Sequence, residues 1–149
     1  MFRHLHGLLP TQDRVNRLGG NRGSRAPGVC RCCSPDTADS LHHTYFECSF
    51  TSAASTALLA CMQQVVPGIT TTACLYLDID THPQTELAVV TLLAASFKAI
   101  WESCKEQKPL TTHRLKAMLD VRCHALSHSR GRLKEAGTAL QHILHLFPP

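Results

Sequence analysis

The chain has 149 residues, 44% hydrophobic and 17% charged, enough apolar material for a modest core in one domain. That balance excludes a chain disordered along its whole length, and an aromatic content of 5% argues against a base-stacking platform. The net charge of +4 is unevenly spread: residues 1–33 hold six arginines against Asp13, residues 34–103 hold seven acidic groups against Lys98, and the remainder is basic again.

Met1 to Pro10 is too polar for a signal peptide, and the best apolar stretch, Leu87 to Phe97, is too short to cross a bilayer. The expectation is an intracellular protein, nuclear or cytoplasmic, neither secreted nor membrane-bound. Its eight cysteines would stay reduced there, free for metal. A secreted, disulfide-linked chain would explain the even count but not the missing leader.

The first segment is expected to hold two short helices. Thr11 can cap a Gln12–Leu18 turn that Gly19-Gly20 ends. Residues 19–28, rich in Gly, Arg and Ser, form a loop without the Lys-Ser/Thr of a phosphate-binding P-loop. Cys30-Arg-Cys-Cys33 follows, then His43-Thr-Tyr-Phe-Glu-Cys48, giving C-x2-C-x9-H-x4-C within nineteen residues. Three thiols and one imidazole suit a tetrahedral structural Zn²⁺ site. Cys32 competes with Cys33 for the second position, and His42 with His43. A redox C-x-x-C belongs at a helix start, whereas Gly28, Pro35 and Asp36 mark turns here. His43 and Cys48 are five residues apart, roughly 140° around an α-helix. A helix carrying His43 must therefore end or bend near Cys48.

Beyond Cys48 the apolar spacing is helical. Ala54, Leu58, Cys61, Met62 and Val65 form one stripe, stopped by Pro67-Gly68. Residues 70–77 are compatible with a strand or a short helix. Pro83 opens the strongest helix, Gln84 to about Gln107, with Val90, Leu93, Phe97, Ile100, Trp101 and Cys104 on one side. Lys108-Pro109 breaks it. Thr111 or Thr112 caps the next helix, striped by Leu115, Met118, Leu119 and Leu126. The last runs from about Gly131 to Leu146, with Leu133, Ala136, Leu140, Ile143 or Leu144, and Phe147 on its stripe. Cys61, Cys74, Cys104 and Cys123 read as core or incidental thiols, and the histidines outside the motif likewise. The fold class is mainly α: a small CCHC zinc knuckle followed by a helical bundle. Residues 1–49 form the basic segment and knuckle, and 50–149 the helical region packed with it.

Catalysis finds little support. Tyr76-Leu-Asp-Ile-Asp80 resembles the acidic box of a polymerase, but Asp78 and Asp80 are not adjacent and no supporting carboxylate motif accompanies them. No Cys-His pair carries a nucleophile signature. The expectation is a non-enzymatic protein.

Several segments together resemble the zinc-binding domain of non-LTR retrotransposon reverse transcriptases. Phe2 to Gly19, with its Leu-Pro-Thr and basic helix, is similar to the stretch preceding that domain. The C-x2-C, the acidic spacer with Asp36 and Asp39, and the H-x4-C ending in Tyr45-Phe-Glu-Cys48 follow in order. Leu92 to Trp101 and Pro109-Leu-Thr continue the likeness, which spans about residues 2–120 and is specific in 1–48. The resemblance implies Cys30, Cys33, His43 and Cys48 as zinc ligands and contacts to template RNA or target DNA. The polymerase segments are absent, so the chain resembles a detached tail of such a polyprotein. Arg14, Arg17, Arg22, Arg25 and Arg31, beside the metal turn, are the expected phosphate contacts. The rival expectation is a protein-interaction or vestigial helical domain with no nucleic-acid role.

Overall fold

The computed structural model describes residues 29–30, 32–33 and 37–147. Five α-helices follow a short π-helical turn, His43–Glu47: α1 (Ser52–Val65), α2 (Thr71–Tyr76), α3 (Pro83–Glu106), α4 (Thr112–Ser127) and α5 (Arg132–Leu144). Among the described residues no strand forms, and the only β pairing is an isolated antiparallel bridge between Val29 and Ala38. The mainly helical expectation holds. The short helices expected in residues 1–28 lie outside the described residues.

Helix boundaries follow from local chemistry. α1 ends where Val66 turns extended ahead of Pro67 and Gly68, the latter at φ 79°. The 70–77 segment, open between strand and helix in the sequence, is helical because Thr70 caps it. Its Oγ1 accepts from the Ala73 N–H at 3.1 Å, and Leu77 closes the turn in the left-handed region. Thr111 does the same for α4, accepting from the Arg114 N–H at 3.1 Å. α5 starts after Gly131, whose φ of 61° suits a residue without Cβ.

The core is built around α3. Ala88, Val89, Leu92, Leu93, Phe97, Ala99 and Ile100 are buried there, against Leu58, Cys61 and Met62 of α1, Leu115 and Leu119 of α4, and Leu140 and Ile143 of α5. α4 and α5 form the closest pair. At their crossing, a Cβ on Gly137 would lie 2.6 Å from the Ser127 backbone nitrogen. Thiols join the elements as donors: Cys61 Sγ–H reaches the Ile143 carbonyl and Cys123 Sγ–H the Gly137 carbonyl, both at 3.2 Å.

Three sequence assignments change. Leu133, expected on the α5 stripe, is 52% exposed, because that stripe begins only at Ala136. Met118 is exposed and Trp101 half-buried, each at the edge of its helix's apolar face. α3 is also more continuously apolar than the Leu87–Phe97 stretch suggested: Thr85–Glu106 is long and apolar enough to cross a membrane by length and composition. Its inner face is occupied by the other helices.

Candidate metal centre

The site is assembled from two short pieces. The Val29–Ala38 bridge and the Cys30 N–H bond to the Thr37 carbonyl (2.9 Å) close a narrow loop, and Cys32 and Cys33 lie within its span. The second piece starts at Ser40, whose Oγ accepts from the His43 N–H at 3.0 Å and whose carbonyl accepts from the Thr44 N–H at 2.9 Å. The chain then widens into a π turn, in which the Cys48 N–H donates to the His43 carbonyl at 2.7 Å. On an α-helix, residues five apart diverge. A π turn bonds i to i+5 and so draws His43 and Cys48 together, and such turns recur at functional sites. Cys48 then leaves the helix at ψ 128°, as the spacing demanded.

One ligand atom from each of Cys30, Cys33, His43 and Cys48 lies within 4.8 Å of the others, a group that could hold a metal ion. Sulfur to sulfur, Cys30–Cys48 is 3.9 Å and Cys33–Cys48 is 3.7 Å. Tetrahedral zinc with Zn–S bonds of about 2.3 Å places its sulfurs roughly 3.8 Å apart, so these separations need little adjustment. The imidazole gives a second, independent sign: His43 Nε2 is buried and has no hydrogen-bond partner. A buried polar nitrogen left unpaired costs about 1–3 kcal/mol, a cost that coordination would remove. The Ser49 N–H donates to Cys33 Sγ at 3.4 Å, which holds that sulfur in place.

The sulfurs differ electrostatically. A hydrogen bond from the Cys104 thiol, aided by the Phe50 backbone, pulls Cys48 well below the ordinary thiol range in spite of its burial. Cys104, which gives that bond, is pushed up, with burial adding to the shift. Burial raises Cys30, and it lifts Cys32 to about 11. Of these sulfurs, Cys48 is the one whose surroundings most favour the anion. A bound dication would displace the remaining thiol protons.

The side chains that compete in the motif, His42 and Cys32, have contacts of their own. His42 is engaged elsewhere, its Nδ1 3.1 Å from Glu47 Oε1 and its Nε2 3.0 Å from Thr71 Oγ1. Cys32 does not complete the four-atom group; its Sγ donates to the Cys104 carbonyl at 3.4 Å and lies within reach of Cys48 alone among those four. Cys104, read from sequence as an ordinary stripe residue, is therefore part of the site's surroundings. Nothing local could have revealed it, since it arrives from the last turn of α3.

That helix also supports the site mechanically. Tyr45, fully buried, packs its ring on Phe97 with centroids 4.8 Å apart, and Phe46 meets the same ring edge-on at 6.2 Å. The Leu110 N–H donates to the Phe50 carbonyl at 2.7 Å, pinning the turn after Cys48 to the chain beyond α3. Arg14, Arg17, Arg22, Arg25 and Arg31 lie outside the described residues. Comparisons with protein-family models, curated proteins and solved structures find no match to this chain.

Proposed function

We propose that the chain is a non-catalytic, intracellular zinc module of retrotransposon reverse-transcriptase origin that binds RNA or DNA through phosphate contacts. The observation that carries the zinc reading is the buried, unpartnered His43 Nε2 beside the sulfurs of Cys30, Cys33 and Cys48. Four protein ligands and no open position suit a structural rather than a catalytic ion. Zinc would cross-link the Cys30–Cys33 loop to the π turn. In zinc-finger peptides such binding supplies about 10–16 kcal/mol of apparent folding energy.

The nucleic-acid reading is supported by the arginine cluster leading into Cys30 and by the resemblance of residues 1–48 to the reverse-transcriptase domain. Guanidinium groups suit phosphates through paired N–H donors. Fluorescence anisotropy with short RNA and DNA duplexes between 50 and 200 mM salt tests it. Each phosphate contact contributes a log–log salt slope of about −0.9. Five engaged arginines would give about −4.5, falling in steps as they are replaced by alanine. Binding that ignores salt, or is absent, rejects this reading. It would favour the second one, a protein-interaction domain, for which the exposed Met118, Val121 and Leu133 offer apolar surface.

A further inference from the structure

A second group of sulfurs stands against the first. One ligand atom from each of Cys32, Cys48 and Cys104 lies within 4.8 Å of the others, and Cys48 belongs to both groups. We propose that these three thiols form a distinct site for a soft monovalent cation, the cuprous ion, with Cys48 sulfur shared between it and the zinc position. The sharing rests on the zinc reading; the three-sulfur site itself does not.

The ligand chemistry selects the ion. Among the described residues no fourth Cys, His, Asp or Glu joins this trio, whereas zinc takes four ligands in structural sites. Sulfur-only sets favour cuprous ion, for which three-coordination is satisfactory. A thiolate sulfur retains more than one lone pair after binding one ion, so Cys48 can bridge two.

Position favours a cation as well. Cys104 lies in the last turn of α3, beside the negative end of the helix dipole. Cys48 and Cys104 are buried and Cys32 is partly exposed, which leaves one side of the trio accessible to an incoming ion. Cys32 and Cys104 are 72 residues apart in sequence, so a bound ion would tie the N-terminal loop to the bundle core. In zinc-loaded protein Cys48 is already a thiolate. Binding Cu⁺ then releases two protons, from Cys32 and Cys104, with no change in oxidation state.

The test is native mass spectrometry under argon of the full, zinc-loaded chain given cuprous ion as its acetonitrile complex, with excess glutathione as competitor. The expected species carries one zinc and one copper. In Cys32→Ser and in Cys104→Ala the zinc stays, while copper affinity falls by more than the ~10–100-fold typical of an outer-shell change. Cys32 is partly exposed, so its variant carries the test if Cys104→Ala fails to fold by circular dichroism. Copper that replaces zinc one for one, binds both variants as well as the parent, or is lost to glutathione overturns the proposal. If the chain takes no zinc but still binds one copper that Cys32→Ser abolishes, the zinc reading fails and the three-sulfur site stands.

Discussion

Replacing Gly137 with alanine should destabilise the protein, although alanine is the better helix former. The added Cβ would sit 2.6 Å from the Ser127 nitrogen, 2.8 Å from the Leu126 carbonyl carbon and 3.0 Å from Leu126 Cβ. Two of these are backbone atoms at the end of α4, which cannot rotate away as a side chain can. Relaxing the shortest contact to 3.4 Å requires α4 and α5 to separate by about 0.8 Å there. Overpacking of this kind costs about 1–3 kcal/mol, and the backbone clash places it toward the upper end. Helix propensity returns about 1 kcal/mol, leaving a net loss of about 1–2 kcal/mol. The Cys123 bond to the Gly137 carbonyl lies in the same crossing and should weaken with it. Thermal unfolding followed by circular dichroism should show a Tm lower by about 2–8 °C for a chain of this size. Thr138→Ala, exposed on the same helix, is the control and should leave Tm unchanged or slightly raised. A Gly137→Ala protein as stable as the parent would mean that α4 and α5 do not approach as closely as described.

Three further outcomes are expected. His43→Gln should abolish zinc binding while His42→Gln leaves it intact, because His42 is held by Glu47 and Thr71; equal zinc content in the two variants would refute the assignment. Chelating the metal should release amide protection over residues 29–48 and leave α3 protected in hydrogen exchange, since its core packing does not depend on the ion; loss of protection across α3 would contradict this. Burial pushes the Cys61 and Cys74 thiols from 9.0 to about 11, so the folded state keeps protons that the unfolded state loses. Their contribution is therefore complete below pH 9 and lost as pH rises to about 11, at up to about 1.4 kcal/mol per pH unit for each thiol. The urea midpoint of the Cys61→Ala/Cys74→Ala double variant should fall less steeply over that range, and an unchanged slope would refute it.

What the sequence disclosed and what it hid have physical explanations. The long helices were legible because Pro67-Gly68, Lys108-Pro109 and the capping Thr111 act through local backbone chemistry, and because Leu58, Phe97 and Leu140 repeat at helical spacing. The C-x2-C and H-x4-C pairs were legible as a group that could hold a metal ion because each pair is a local unit. The short α2 was ambiguous, since six residues carry too little periodicity and only the Thr70 cap decides. Leu133 was misplaced because a stripe fixes a helix face but not where its neighbour ends. The contact of Cys32 with Cys104 was hidden, because no local pattern links residues so far apart. The π turn escaped because its signature is a hydrogen bond rather than a residue type.

Native mass spectrometry of the purified protein beside a Cys30→Ser/Cys48→Ser double variant tests the metal centre most directly. One zinc per chain in the parent and none in the variant is the expected result. Zinc retained by both, or bound by neither, would contradict the assignment of Cys30, Cys33, His43 and Cys48 as its ligands.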